Sequence, residues 1–213
     1  MTSDAKAVFS FPRLYPILVP SRIGGGSMPE ICEFASEVVE GGARIVQLRE
    51  KQSSSKEILR LARELRRVLP NEARLIINDR ADLAVAAGAE GVHLGQDDIP
   101  PDAARKIIGP ARMLGVSTHN AQQLEIAHRT SADYIAIGPV FATISKDNPD
   151  PLIGLEGIRQ GRSLTNKPLV AIGGITLQNC RSVIAAGADC VAIIGAILED
   201  PCKTTEQFLL QMR

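Results

Sequence analysis

Short apolar runs recur along the chain at 14–19, 44–48, 74–77, 91–94, 113–116, 133–137, 168–172 and 190–194. Each is too short for a free-standing helix and is rich in Ile, Val or Leu, which predicts eight buried strands. Between them the period changes. Over 55–69, Ile58, Leu59, Ala62, Leu65 and Leu69 return at three- and four-residue intervals with Arg and Glu on the opposite face, so an amphipathic helix is predicted. Comparable patterns predict helices over 29–40, 81–87, 101–108, 121–129, 155–163, 177–186 and 204–211. Three of these end in Gly-Ala before the next strand, at Gly42-Ala43, Gly88-Ala89 and Gly187-Ala188. Glycine there suits the left-handed residue that closes a helix and turns the chain back toward the sheet.

Eight strands, each followed by a helix, fit a closed barrel or an open doubly wound sheet. Polar residues follow nearly every strand, as eight loops around one mouth require, whereas an open sheet concentrates them at a switch point. The expected fold is therefore α/β, a (β/α)8 TIM barrel. A chain of 213 residues suits one such domain over 1–213, with a short N-terminal tail at about 1–12. The longest loop after a strand, 141–153, is a candidate functional loop.

Charge narrows the partners. Basic and acidic residues balance at 24 each, which carries no polyanion signature and argues against nucleic acid. A small phosphorylated ligand needs only a local cluster of cations and amides, so it stays in play. No apolar run approaches the ~20 residues of a membrane span, and no basic-then-apolar leader opens the chain, so no membrane partner and a cytoplasmic location are expected. Cys32, Cys180, Cys190 and Cys202 form no CxxC pair and read as structural thiols of a reduced compartment. A homo-oligomer is left open.

The candidate chemistry sits at the strand ends. The second strand leads into Gln47-Leu48-Arg49-Glu50-Lys51, where alternation points Gln47 and Arg49 to one side with Lys51 just beyond. A guanidinium fork beside an ammonium suits phosphate oxygens, although a solvated strand end with a Glu–Lys pair reads as well. The third strand ends Asn78-Asp79-Arg80 and the fourth Gly95-Gln96-Asp97-Asp98. Carboxylates facing one mouth near a diphosphate are what Mg2+ requires, and Asp79 and Asp98 are the candidate ligands. Asp97 reads instead as a cap of the following helix. Ser117 is a candidate phosphate donor and Asn120 a helix N-cap. Thr143, Ser145 and Lys146 supply two hydroxyls and an ammonium from the long loop.

The last two strands end Ile172-Gly173-Gly174-Ile175 and Ile194-Gly195-Ala196-Ile197. Glycines let backbone amides approach an anion, and a short helix expected near Gly195 would aim its positive end there. Loops seven and eight are where barrels hold a phosphate. His93, His119 and His128 lack metal-ligand spacing, and no GxSxG elbow is present, so triad hydrolysis is unsupported. His128 reads as structural, and His93 as barrel wall or site neighbour.

With these stretches assembled, the chain resembles the thiamin phosphate synthase family from about Leu14 to the last helix. The resemblance rests on Val46-Gln47-Leu48-Arg49-Glu50-Lys51, Asn78-Asp79-Arg80, Gly91 to Asp98, Gly115-Val116-Ser117, Gly138-Pro139-Val140-Phe141, Thr143 to Lys146, and Ile172-Gly173-Gly174-Ile175, in that order. It implies a Mg2+-dependent transferase that joins a pyrimidine methyl diphosphate to a thiazole phosphate and releases diphosphate. By the same resemblance Gln47, Arg49, Lys51, Asn78, Ser117 and Lys146 would hold the pyrimidine diphosphate, with Arg49, Lys51, Ser117 and Lys146 the catalytic group. Asp79 and Asp98 would bind the metal, and Thr143, Ser145, Gly174, Ile194 and Gly195 would receive the thiazole phosphate.

The chain departs from the family pattern at two places. Gly195 stands where a serine is usual, removing a donor worth ~1.5–3 kcal/mol to a charged group. Ser145 replaces a common threonine, and the 147–151 segment after it is unusual. Rival expectations are a thiazole tautomerase of the same superfamily, a phosphosugar epimerase or aldolase barrel, and a silent binder of thiamin precursors. Pro139, where tautomerase relatives place a histidine, and the Gln96/Asp98 pair favour the synthase over the first. Arg49, Lys51, Asp79 and Asp98 together favour it over the second. Gly195 alone hints at the third.

Overall fold

The computed structural model describes residues 11–143 and 151–213. Eight strands alternate with eight helices: β1 (Leu14–Leu18), α1 (Met28–Glu40), β2 (Ile45–Leu48), α2 (Ser55–Val68), β3 (Arg74–Asn78), α3 (Ala81–Ala87), β4 (Gly91–Leu94), α4 (Pro101–Ile108), β5 (Met113–Thr118), α5 (Ala121–His128), β6 (Tyr134–Ile137), α6 (Gly154–Leu164), β7 (Leu169–Ile172), α7 (Cys180–Ala185), β8 (Cys190–Ile193) and α8 (Pro201–Gln211). The strands are parallel and close in sequence order, β8 pairing back onto β1, so the expected TIM barrel is the fold observed.

Closure divides each strand between two cores. One set of positions, including Ile17, Ile45, Ile76, Met113, Val170 and Cys190, points into the barrel and packs as its own cluster. The alternate set, including Leu14, Val46, Leu75, Val92, Leu114 and Ile135, packs with the inner faces of the helices. Both faces of a strand are therefore apolar, which is why the runs read as continuous rather than alternating.

The helices obey local rules with a few shifts. Ser54 and Glu57 form a capping box at α2, and Ser27 and Glu30 form one at α1. Asn120 caps α5 as expected, accepting from the Gln123 N–H at 2.9 Å. On α2 the buried positions are Ile58, Leu61, Ala62 and Leu65, so Leu61 takes the place expected of Leu59. Helix α7 starts at Cys180 rather than 177, because Asn179 accepts from the Thr176 N–H and donates to the Gly174 carbonyl, spending those residues on a turn. Helix α8 starts three residues early, at Pro201, with the Asp200 carboxylate accepting from Lys203 N–H. Gly88 is left-handed at the end of α3, and Gly42 and Gly187 also have positive φ. The short helix expected at Gly195 is a single 3-10 turn, Gly195–Ile197.

Three clamps of one design close the bottom of the barrel. Arg66 of α2 pairs with Glu90, Arg105 of α4 with Asp133, and Arg162 of α6 with Asp189, at 2.8, 2.6 and 2.7 Å. Each acid immediately precedes an even-numbered strand and accepts the N–H of Leu75, Leu114 or Leu169 in the preceding odd-numbered strand. The arginines also gather backbone carbonyls just beyond their own helices, such as Leu69, Gly109 and Lys167, which would otherwise lack partners. No helix among the described residues is long and apolar enough to cross a membrane.

Candidate active site

A cavity opens at the C-terminal ends of the strands, and Gln47, Arg49, Asn78, His93, Ser117 and Ile194 line it. Five of these are candidates that lie far apart in sequence. Strand direction accounts for the gathering: every strand delivers its last inward residue to the same mouth. A shallow depression on the outer surface, lined by Leu177, Gln178, Gln207 and Gln211, offers no titratable group.

The polar groups of the mouth are incompletely satisfied by the protein. Asn78 Nδ2 is buried and has no hydrogen-bond partner, a cost of about 1–3 kcal/mol unless an acceptor arrives. Among the described residues no carboxylate pairs with the Arg49 guanidinium. Two donor groups lining one cavity without protein acceptors of their own are chemically suited to an anion.

Beside them lies the acidic pair. Lys51 Nζ sits 2.9 Å from Asp79 Oδ2, while Glu50 accepts from the Gln52 and Ser53 amides at 2.6 and 3.1 Å. The Glu50–Lys51 pair that the bland reading requires is therefore not formed. Asp79 has φ of 63°, in the left-handed region, its N–H held by the His93 carbonyl at 2.7 Å. Strain of this kind persists where surrounding contacts fix it. Asp98 accepts from the Gly95 N–H at 2.6 Å. Burial lifts its carboxyl above the usual range and the neighbouring Asp79 carboxylate lifts it further, against the pull of the Gly95 amide and Lys51. Two carboxylates crowded against one ammonium make a donor set that a hard cation satisfies. No cluster of three or more His, Cys, Asp or Glu suited to a metal occurs among the described residues, where the acidic pair of the mouth is Asp79 and Asp98. That fits Mg2+, which keeps waters and shares phosphate oxygens. Asp97 does not cap α4, whose N-cap is Pro100, because Pro100 and Pro101 start that helix themselves.

Loops six and seven form the opposite side. Val140 and Phe141 N–H groups donate to the Ile172 and Gly173 carbonyls at 2.9 and 3.0 Å, extending the strand pairing past the sheet. Gly174 has φ of 62°, and a Cβ there would overlap the Ala142 carbonyl, so only glycine fits this close approach. Ile194 and Gly195 follow the adjacent strand β8, at the start of the 3-10 turn. Thr143 is the last described residue before the gap; Ser145 and Lys146 lie outside the described residues.

Sequence reasoning missed the barrel interior beneath the mouth. Tyr15 and Tyr134 are fully buried and meet hydroxyl to hydroxyl at 3.0 Å. Gln47 Nε2 donates to Tyr15 at 3.0 Å. His93 Nδ1 lies 3.0 Å from the Tyr134 hydroxyl and its Nε2 lies 2.8 Å from Ser117 Oγ. Burial pushes the His93 imidazole down to about 4 and the Tyr134 phenol far up, so both are neutral near pH 7. The signal available was a tyrosine within each of two apolar strands. His128, by contrast, meets Thr165 at 2.9 Å on the outer side, in the structural role expected.

Residues 14–197 match the model of the family described as thiamine monophosphate synthase. The thiamine-phosphate synthase of Koribacter versatilis (strain Ellin345) is 55% identical over 199 residues, covering 93% of this chain and 94% of that one. That of Methanoregula boonei (strain DSM 21154 / JCM 14090 / 6A8) is 44% identical over 187 residues, 87% and 85% of the two chains. A solved thiamine phosphate pyrophosphorylase from Pyrococcus furiosus superposes with a TM-score of 0.83 at 34% identity, covering 94% of this chain and 95% of that one. With the barrel, the mouth and its acidic pair in place, this match over nearly the whole chain settles the lineage: the chain belongs to the thiamine monophosphate synthase family.

Proposed function

We propose that this protein joins a 4-amino-2-methyl-5-hydroxymethylpyrimidine diphosphate to a hydroxyethylthiazole phosphate, releasing diphosphate and forming thiamin phosphate. The observation that carries the reading is the gathering of Gln47, Arg49, Asn78 and Ser117 around one cavity beside the Asp79/Asp98 pair. Gln47, Arg49, Lys51, Asn78, Ser117 and Lys146 hold the pyrimidine diphosphate. As the C–O bond breaks, its electron pair leaves with the diphosphate, and fixed donors stabilise the charge growing there. The pyrimidine-stabilised carbocation is then captured by the lone pair of the thiazole nitrogen. No protein nucleophile takes part, which agrees with the absence of a triad motif from the sequence. Positioning the two substrates contributes ~7–11 kcal/mol toward the barrier.

Asp79 and Asp98 are the residues that would hold Mg2+, and the ion, when bound, would neutralise leaving-group charge. Thr143, Ser145, Gly174, Ile194 and Gly195 receive the thiazole phosphate. The amide-rich loops after β7 and β8 support that division, since their glycines allow close backbone approach to an anion.

The test incubates the full chain with both substrates and Mg2+ and measures thiamin phosphate. Product is expected, and Asp98→Ala should need on the order of tenfold more Mg2+, the typical effect of losing one metal-site partner. No product despite intact binding of both substrates overturns the synthase reading. An unchanged Mg2+ requirement removes Asp98 from the metal site.

A further inference from the structure

Five side chains from five strands form one unbroken hydrogen-bonded chain across the barrel: Gln47, Tyr15, Tyr134, His93 and Ser117. Its direction follows from counting hydrogens. Gln47 Nε2 can only donate, so the Tyr15 oxygen accepts, and the single Tyr15 hydrogen is left for Tyr134. The Tyr134 hydrogen then goes to His93 Nδ1. A neutral imidazole accepting at Nδ1 carries its hydrogen on Nε2, and that hydrogen goes to Ser117 Oγ. The opposite order, with His93 Nδ1 donating to Tyr134 and Tyr134 to Tyr15, strands the Tyr15 hydrogen in the core with no acceptor, at a cost of ~1–3 kcal/mol. With Gln47 Nε2 turned to Tyr15, only the first order places every hydrogen.

We propose that Tyr15, Tyr134 and His93 are positioning residues that fix the Ser117 hydroxyl as a hydrogen-bond donor into the mouth. Because Ser117 Oγ already accepts from His93, its own hydrogen is turned toward the cavity that it lines. Gly115 makes the contact possible. In register it stands between His93 and Tyr134, and a Cβ there would overlap both the Tyr134 phenol and the His93 ring. Burial keeps the phenols and the imidazole uncharged, so the chain carries an orientation without a charge. The consequence for binding is selective: an acceptor such as a phosphate oxygen meets the oriented Ser117 hydrogen, whereas a donor finds only the second Oγ lone pair. The inference rests on the proposed function only for which anion occupies the mouth.

Two measurements test it, neither requiring turnover. In protein with 15N-labelled histidine, the His93 signal is identified by its loss in His93→Gln. At pH 7 the Nε2–H tautomer should dominate, and in Tyr134→Phe it should give way to a mixture. A dominant Nδ1–H tautomer in the unmodified chain means the chain runs in reverse and overturns the proposal. The second measurement is the affinity for inorganic diphosphate with Mg2+ present. Tyr134→Phe should weaken it by about tenfold, within the range for a hydrogen bond to a charged group. In a Ser117→Ala background the same change should have no further effect, since it acts through the missing hydroxyl. Equal loss in both backgrounds assigns Tyr134 to packing alone and overturns the proposal. Absence of thiamin phosphate in the turnover assay strikes the function and leaves these two results standing; a reversed tautomer strikes the chain and leaves the function standing.

Discussion

Among the described residues a side chain at position 195 would meet open space, for no heavy atom beyond its chain neighbours lies within 4 Å of a Cβ placed on Gly195. Its φ lies outside the left-handed region, so an L side chain fits without strain. Gly195→Ser is expected to restore a hydroxyl donor and lower KM for the thiazole phosphate by roughly tenfold, at the low end of a charge-assisted hydrogen bond. Steady-state kinetics at saturating pyrimidine diphosphate checks this; an unchanged or higher KM removes Gly195 from the phosphate site. Gly174 is the opposite case. Its φ of 62° and the nearby Ala142 carbonyl leave no room for a side chain, so two glycines alike in sequence do different work. Sequence spacing could not tell them apart, because the difference lies in what the neighbouring loop does.

Among the elements, the arginine clamps repeat every second βα unit, from helices α2, α4 and α6 to acids before β4, β6 and β8. The charge pairs themselves are partly exposed, with Asp133 49% accessible, so Coulomb attraction is screened and contributes little. The stabilisation comes from the hydrogen bonds that Arg105 makes to the Gly109, Arg112 and Ser131 carbonyls. Arg105→Ala should lower unfolding free energy by roughly 1–3 kcal/mol and leave KM for both substrates unchanged, because the clamp lies at the other end of the barrel from the mouth. Chemical denaturation checks the first part; a change under 0.5 kcal/mol would mean water replaces those bonds without penalty. Element positions were legible in the sequence almost throughout. Helices α3 and α4 begin and end where periodicity sets them, while α7 and α8 shift at their starts, where side chains of Asn179 and Asp200 choose the first turn.

At the scale of the molecule, a buried imidazole links the barrel interior to pH. His93 has a folded value of about 4 against an ordinary 6.5. Between those values the unfolded chain takes a proton that the folded one refuses, so stability is present above pH 6.5 and is lost as pH falls toward 4. The loss attributable to His93 is at most ~3 kcal/mol, and the groups facing it are Tyr134, Ser117 and, at longer range, Asp98. Denaturation midpoints at pH 7 and pH 4.5 should fall less in His93→Gln than in the unmodified chain. Equal falls would show that the imidazole charges as readily inside the barrel as outside.

The sequence by itself determined the eight-fold alternation, the single barrel and the residue types at each strand end. Strand length, apolar runs and helical period are local properties, and local properties are written in consecutive residues. It also carried the ordered set of strand-end stretches by which the family is recognised. Only the tertiary structure decided which of those ends converge. The pairing of Lys51 with Asp79 instead of Glu50, the crowding of Asp79 against Asp98, and the unpartnered Asn78 amide each depend on neighbouring strands closing into one mouth. The Gln47-to-Ser117 chain depends on closure still more. Its links span 32, 119, 41 and 24 positions in the sequence, and parallel register through the gap at Gly115 brings them within hydrogen-bond reach. Barrel closure sets such contacts across the lumen, where no periodicity along the chain can register them.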